Sequence, residues 1–216
     1  MRKKKLIFCL GTGRCATSSM AFLLNSQHSS LFTHELFPIL PWENEKDRCD
    51  RTNSLIQFKF NQLTHQSHNY DIVGDSGSYY LPYVEVFARS IMHSEEFDFK
   101  FIILKRDKLE TIESFKTKFK RQNNNPLQNH NGPKNEWDAS FPKYDECSLD
   151  DAIEKYYDDY YSTSAELSEK FPKNVRIFNS EILNSDKGLT SLFEFLDIEN
   201  PLMLKNIRKN SSSDAR

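Results

Sequence analysis

Residues 6 to 20 read Leu6-Ile-Phe-Cys-Leu-Gly-Thr-Gly-Arg-Cys-Ala-Thr-Ser-Ser-Met20. The segment begins with five consecutive apolar residues, which is typical of a strand covered on both faces of a parallel sheet. Two glycines and several hydroxyl residues follow, and then Met20, Leu23 and Leu24 recur at helical spacing. The order strand, loop, helix predicts the first unit of an α/β domain.

The loop between this strand and this helix has the composition of an anion-binding site. The chain has only 6 glycines, and two of them, Gly11 and Gly13, lie here. Glycines let backbone N–H groups turn towards one point, and the helix that follows adds the positive end of its dipole. Thr17 and Ser18 add hydroxyl donors, and Arg14 adds a cation. We therefore predict that the loop binds phosphate.

The loop differs from a Walker A loop. Counted from Gly11, the pattern G-x-x-x-x-G-K-[ST] would place its second glycine at Ala16 and its lysine at Thr17. Only Ser18 matches the pattern, and the cation is Arg14 within the loop. This arrangement argues against a magnesium-dependent kinase.

Four more apolar runs read as strands, and amphipathic helical patterns separate them. The five predicted strands cover residues 5–10, 31–34, 71–74, 100–105 and 175–179. The clearest helical pattern covers residues 148–167; it opens with a capping box at Ser148 and carries a stripe of tyrosines, which we interpret as core. The alternation predicts an α/β fold, a three-layer sandwich with a central parallel sheet of about five strands.

Length and composition narrow the class of protein. A chain of 216 residues with 17 Phe and 9 Tyr can bury one sizeable core, so we expect a single domain over residues 1–205 and a flexible tail over 206–216. No apolar run approaches the ~18 residues of a membrane span. The net charge of -2 argues against nucleic acid as a partner. The four cysteines lack metal-ligand spacing, which predicts reduced thiols, a cytoplasmic protein and no metal site.

The first loop resembles the 5′-phosphosulfate loop of the sulfotransferase family. The similar residues are Gly11, Thr12, Gly13, Arg14, Cys15, Ala16, Thr17 and Ser18. In that family a lysine or arginine occupies the position of Arg14, and the fold is a relative of the P-loop NTPases. The resemblance implies that the co-substrate is 3′-phosphoadenosine 5′-phosphosulfate (PAPS), that the product is adenosine 3′,5′-bisphosphate, and that no metal is required.

A second motif of the same family resembles residues 101–114. Arg106 follows the apolar run of the fourth strand, and Ser114 comes eight residues later. Arg106 leaves the carboxyl end of a buried strand, where ligands bind in open α/β sheets, and its guanidinium offers a forked donor suited to phosphate. The resemblance implies that Arg106 and Ser114 bind the 3′-phosphate of the nucleotide.

The end of the second predicted strand supplies the candidate base. Two titratable side chains, His34 and Glu35, are adjacent there. Sulfuryl transfer needs a base for the acceptor's proton and cations for the charge on the leaving phosphate. The resemblance to heparan-type sulfotransferases favours Glu35 as the base, keeps His34 as the alternative, and gives Arg14 the role of the cation.

The chain departs most from that family after the third predicted strand. Heparan-type members carry roughly E-K-[ST]-P-x-Y there, and their lysine helps to neutralise the sulfonate. Asp75 and Ser76 stand in place of the lysine and proline. Asp75 is open to three interpretations, as an acceptor ligand, a second base or a turn former. We favour a turn for Asp75 and for the neighbouring Gly74 and Gly77.

Two further segments have predicted roles. Residues 121–147 are polar, rich in asparagine and contain three aromatic residues, so we predict an acceptor-side loop or lid and a small-molecule or carbohydrate acceptor. Arg208 and Lys209 are candidates for a basic remnant over the nucleotide, although a solvated charged tail is the simpler interpretation.

The sequence thus favours a PAPS-dependent sulfotransferase that moves a sulfuryl group to a hydroxyl or amine acceptor. Two alternatives stay open. One is a P-loop nucleotide or small-molecule kinase, and the other is a catalytically inactive nucleotide-binding module. The sequence carries no readable signal for the identity of the acceptor or for the oligomeric state.

Overall fold

The computed structural model describes residues 3–92, 94–129, 135–145, 148–204 and 207. Within them lies one sheet of five strands: β1 (Lys4–Leu10), β2 (Ser30–His34), β3 (Ile72–Ser76), β4 (Phe97–Lys105) and β5 (Val175–Asn179). All pairs are parallel, and the order across the sheet is β2-β3-β1-β4-β5. The five predicted strands and the parallel sheet are therefore confirmed.

Helices cover both faces of the sheet. Those described are α1 (Thr17–Asn25), α2 (Asp50–Gln66), α3 (Val84–Ile91), α4 (Lys108–Gln122), α5 (Glu136–Ala139), α6 (Leu149–Lys170) and α7 (Asp186–Leu196). The predicted capping box begins α6, since the Ser148 hydroxyl accepts the Asp151 N–H at 3.1 Å. The sequence pattern did not indicate α2, because half of its narrow buried stripe is polar, with Thr52 and Lys59 beside Ile56 and Leu63.

The central strand β1 separates two hydrophobic cores. Leu6, Phe8 and Leu10 face the core formed with α2, α3, α4 and α6. Ile7 and Cys9 face the core formed with α1 and α7. All five side chains are fully buried, which explains why the strand is apolar throughout rather than alternating. The predicted three-layer sandwich is confirmed.

The sheet brings the ends of four strands to one edge. In the parallel register, Cys9 and His34 both pair with Ser76, and Leu10 pairs with Ile103. The loops that follow β1, β2, β3 and β4 therefore leave the sheet side by side. From β1 the chain continues to β2 on one side of the sheet, whereas from the adjacent strand β4 it continues to β5 on the other side. Ligands of open α/β sheets bind at such a switch point.

The described part of segment 121–147 packs on the domain. Its first two residues, Arg121 and Gln122, are the end of α4, and Leu127 and Phe141 are buried in the core with exposures of 0% and 8%. Residues 130–134 and 146–147 lie outside the described residues. The acceptor-side role of this segment stays a prediction.

Most of the predicted tail also lies outside the described residues, including Arg208 and Lys209. Ile207 is described, and it is buried among the side chains of α1 and α7.

Candidate functional site

The loop after β1 has a left-handed backbone at three positions. The φ angle is 87° at Gly13, 61° at Arg14 and 71° at Ala16, and α1 begins directly afterwards. Such residues bend the chain so that N–H groups point into one concavity, next to the positive end of the helix dipole. Gly11 leaves no room for a side chain, because a Cβ there would overlap the Cys15 sulfur. The loop therefore requires glycine for its shape.

The two predicted phosphate motifs contact each other. Arg14 Nε donates to Ser114 Oγ at 2.8 Å, and an Arg106 guanidinium nitrogen donates to the Arg14 carbonyl at 3.2 Å. Arg106 also pairs with Glu110 at 2.8 Å. Although Arg14 keeps an exposed surface, desolvation lowers its pKa, and the charges of Arg106 and Arg121 lower it further. An anion bound between these cations would relieve that repulsion.

The remaining side chains of the loop have different surroundings. Thr12 and Cys15 are fully buried, and burial raises the pKa of the Cys15 thiol to about 11. Cys15 is therefore a protonated packing residue. Thr17 Oγ1 lies 3.4 Å from His34 Nε2, which links this loop to the end of β2, and Ser18 is half-buried at the start of α1.

Glu35 stands at the end of β2 in a left-handed conformation, with a φ of 58°. Its N–H donates to the Ser76 carbonyl at 2.7 Å, and its carboxylate lies 3.4 Å from His34 Nδ1. Burial raises the pKa of the Glu35 carboxyl, while His34 and Lys118 lower it and Asp75 raises it. A carboxylate with a raised pKa is a stronger base than a solvated one.

Asp75 lies beneath this turn and is fully buried. Its carboxylate accepts from Thr33 Oγ1 at 2.7 Å, the Leu36 N–H at 3.1 Å, the Tyr79 hydroxyl at 3.0 Å and the Tyr80 hydroxyl at 2.6 Å. With these donors around it, Asp75 ties the residues on both sides of Glu35 to β3.

The predicted turn at Gly74 and Asp75 is wrong, because both residues lie inside β3 and pair with β1. A Cβ at Gly74 would overlap the Ile7 carbonyl and the ring of Phe32, so glycine permits close packing between strands. Gly77 follows the strand in extended backbone. Gly74 thus serves packing, whereas Gly77 begins a 3₁₀ turn in which its carbonyl accepts the Tyr80 N–H at 3.5 Å.

Lys59 is a buried charge that the sequence interpretation missed. It comes from α2, is fully buried, and lies with Nζ 3.6 Å from the Asp75 carboxylate. The same Nζ donates to the Leu36 carbonyl. Burial lowers the pKa of Lys59 to about 8, and Asp75 opposes that shift. Lys59 and Asp75 therefore both fix Leu36, the residue after Glu35, one through its carbonyl and the other through its N–H. The sequence signal that could have revealed Lys59 is its position on the buried stripe of α2, where a lysine needs a polar partner.

A cavity of about 520 Å³ opens beside Glu35. Its wall combines the end of α4 with residues from 123–126 and 135–141. The lining residues with aromatic or amide side chains are Phe119, Gln122, Asn123, Asn124, Asn135, Trp137 and Phe141. Asn124 Nδ2 donates to Asp138 at 2.6 Å, which fixes the amide, and Asn124 Oδ1 is buried with no hydrogen-bond partner among the described residues. Among the other lining residues, Gln122 and Asn123 keep exposed amide side chains in the cavity wall.

Solved sulfotransferase structures superpose on nearly the whole chain. The sulfotransferase domain from the curacin biosynthetic pathway has a TM-score of 0.58 at 14% identity, covering 98% of this chain and 80% of that chain. The sulfotransferase domain of the Synechococcus PCC 7002 olefin synthase has a TM-score of 0.57 at 13% identity, covering 97% and 80%. The sulfotransferase from Alicyclobacillus acidocaldarius has a TM-score of 0.52 at 14% identity, covering 99% of this chain and 88% of that chain.

The chain has the sulfotransferase fold. The fold that the sequence resemblance implied is therefore confirmed. No protein-family model matches the chain, and no curated protein matches it in sequence. Within the described residues, no helix has the length and apolar character to cross a membrane, and no cluster of three or more His, Cys, Asp or Glu side chains could hold a metal ion.

In this sulfotransferase fold, the tyrosines of α6 hold both motifs by their backbone. Tyr156 donates to the Thr12 carbonyl at 3.0 Å, Tyr160 accepts the Gly11 N–H at 2.9 Å, Tyr157 donates to the Arg106 carbonyl at 2.7 Å and Tyr161 donates to the Leu104 carbonyl at 2.7 Å. The stripe is buried, as predicted. Its hydroxyls were the missed functional signal, because a buried tyrosine usually needs a partner for its O–H.

Proposed function

We propose that the protein transfers a sulfuryl group from PAPS to a hydroxyl or amine of an acceptor. The observation that carries the proposal is the 2.8 Å hydrogen bond from Arg14 to Ser114. It joins two motifs that lie 100 residues apart in the sequence. Their convergence at the carboxyl edge of the sheet supports a single anionic ligand that contacts both.

The donor set fits the two anionic ends of PAPS. We assign the 5′-phosphosulfate to the loop from Gly11 to Ser18, where the backbone is concave and Arg14 supplies the cation. We assign the 3′-phosphate to Arg106 and Ser114. PAPS supplies an activated sulfuryl group, and the arginines and backbone dipoles take the charge on the leaving phosphate, so the proposal needs no metal.

Glu35 is the proposed base. Its raised pKa and its place beside the cavity support the role, and His34 at 3.4 Å orients the carboxylate. Asp75 is not proposed as a base, because buried donors already surround it. In the transfer, the acceptor oxygen or nitrogen forms a bond to sulfur and gives its proton to Glu35. The bond between sulfur and the bridging phosphate oxygen breaks, and adenosine 3′,5′-bisphosphate leaves with that electron pair.

The cavity beside Glu35 is the proposed acceptor site. The amides of Gln122 and Asn123 offer hydrogen-bonding groups, and Trp137 and Phe141 offer apolar surface. These features support a small molecule or a carbohydrate with both polar and apolar faces. We also propose a cytoplasmic location, which the free thiols of Cys9, Cys15 and Cys49 support.

Calorimetry with adenosine 3′,5′-bisphosphate tests the donor site. We expect micromolar binding without metal, and weaker binding by the Arg106→Ala variant. Binding of ATP with magnesium, and none of the bisphosphate, would favour a kinase and contradict the proposal.

Transfer of sulfate to a panel of hydroxyl and amine acceptors then separates an enzyme from an inactive module. The Glu35→Gln variant should lose transfer and keep its affinity for the bisphosphate. If the variant retains activity, Glu35 is not the base.

A further inference from the structure

Lys118 occupies a distinctive position on α4. It lies four residues after Ser114, which is about one helical turn, so both side chains project from the same face of the helix. Ser114 contacts Arg14, and Lys118 lines the cavity together with Glu35. Lys118 therefore stands between the proposed donor site and the proposed acceptor site.

Two other lysines of α4 are neutralised by carboxylates. Lys108 pairs with Glu154 at 2.6 Å and with Asp158 at 2.9 Å. Lys116 likewise has two carboxylate partners, one on α4 and one on α6. Lys118 has neither a salt bridge nor a side-chain hydrogen bond within the part of the chain that the structure describes.

The electrostatic surroundings of Lys118 also favour a negative ligand. Its side chain is half-buried, and desolvation lowers its pKa, with Arg14 and Arg121 adding to the effect and Glu35 opposing it. A desolvated cation next to another cation is unfavourable unless an anion lies between them. Among the described residues that act on Lys118, Glu35 is the one carboxylate that favours the charged form, and Glu35 is itself held by His34.

We propose that Lys118 binds the sulfonate group of the donor and neutralises its oxygens while the group passes to the acceptor. This inference rests on the proposed function. Of the other candidate cations, Lys59 donates to the Leu36 carbonyl, and Arg14 and Arg106 are assigned to the phosphate groups of the donor. Arg121 is exposed and does not line the cavity. A cation fixed before the reaction stabilises the charge that develops in the transition state.

The test compares Lys118→Met with Lys120→Met, an exposed lysine two residues away on the same helix. Calorimetry without acceptor measures PAPS and adenosine 3′,5′-bisphosphate in parallel. Because the bisphosphate has no sulfonate, Lys118→Met should weaken PAPS by about tenfold and leave the bisphosphate unchanged. Lys120→Met should leave both unchanged. Equal affinities of Lys118→Met and wild type for PAPS would overturn the inference, as would an equal loss for both ligands.

Turnover gives a second readout. With any acceptor that the wild type sulfates, Lys118→Met should lower kcat by on the order of 100-fold. The Lys118 charge lowers the pKa of Glu35, so the variant should have a Glu35 with a higher pKa. The rise of activity with pH should therefore occur at a higher pH in Lys118→Met than in the wild type. The other groups that act on Glu35, His34 and Asp75, are unchanged in this variant. An unchanged pH profile would assign Lys118 a packing role only.

The two proposals fail in different ways. If the wild type binds neither PAPS nor the bisphosphate, the proposed function is wrong, and the role of Lys118 falls with it. If the wild type binds both and Lys118→Met behaves like Lys120→Met, only the role of Lys118 is wrong.

Discussion

Replacement of Tyr160 by phenylalanine removes one buried oxygen from the middle of α6. That hydroxyl accepts the Gly11 N–H at 2.9 Å and donates to the Ser78 carbonyl at 3.2 Å. The side chain is 1% exposed, so water cannot readily replace the lost partner. The Gly11 N–H belongs to the first residue of the predicted phosphosulfate loop, and phenylalanine would leave it without a bond.

The cost follows from these two bonds. An orphaned buried donor costs about 1–3 kcal/mol, and a lost neutral hydrogen bond costs about 1 kcal/mol. We therefore expect Tyr160→Phe to lower the free energy of unfolding by about 2–4 kcal/mol. The control is Tyr161→Phe, on the same helix, which loses a bond to the Leu104 carbonyl at 2.7 Å and a contact with Thr12, while the Gly11 N–H keeps its partner. Its expected loss is about 1 kcal/mol.

Urea denaturation measures the difference. Tryptophan fluorescence is a suitable probe, because the Trp42 ring lies 6.0 Å from the Tyr160 ring. Calorimetry with adenosine 3′,5′-bisphosphate is the second measurement, and Tyr160→Phe should bind it more weakly than Tyr161→Phe because only the former frees the Gly11 amide. Equal unfolding free energies and equal affinities in the two variants would refute the proposal that α6 fixes the loop.

Three further variants test other contacts. Ser114→Ala should weaken bisphosphate binding by about tenfold in calorimetry, since it removes a partner of Arg14 and a proposed phosphate donor; an unchanged affinity contradicts the assignment. Burial lowers the pKa of Lys59 to about 8 against 10.5 in the unfolded chain, so the unfolded state binds more protons between these values and wild-type stability should rise with pH there. Lys59→Met should lack that rise in urea denaturation at matched pH, and parallel curves would disprove the linkage. Gln122→Leu removes an exposed amide from the cavity wall, so it should raise KM for the acceptor in steady-state kinetics without changing donor affinity, and unchanged KM would remove Gln122 from the acceptor site.

The sheet and the first loop could be predicted from the sequence because their signals are local. A strand buried on both faces must be apolar at every position, so β1 and the end of β4 stand out as continuous runs. The glycines, Arg14 and the hydroxyls lie within eight residues of the first strand's end. The second motif, Arg106 with Ser114, also depends on a short spacing, since the two residues lie eight apart where β4 leads into α4.

The rest of the site depends on contacts between distant residues. Tyr160 and Gly11 are 149 residues apart, and the Lys59 ammonium reaches Leu36 from 23 residues away. Neither contact leaves a pattern in either local segment. A buried lysine even hides its helix, because it replaces an apolar residue on the stripe that would reveal α2. The prediction of a turn at Asp75 failed for a similar reason. An aspartate beside a glycine is typical of a turn, and the sequence does not show the distant donors that surround Asp75 inside β3.

The net charge of the chain gives no indication of the cluster of cations at the candidate site. The chain carries a formal charge of -2, which argues against an extended basic surface. Yet Arg14, Arg121 and Lys118 lie close enough that each arginine lowers the pKa of the lysine, and Arg106 acts on Arg14 in the same way. Such mutual repulsion costs stability in the absence of a ligand and is relieved when an anion binds. The concentration of positive charge at one edge of the sheet is therefore a stronger argument for an anionic donor than any of these residues taken singly.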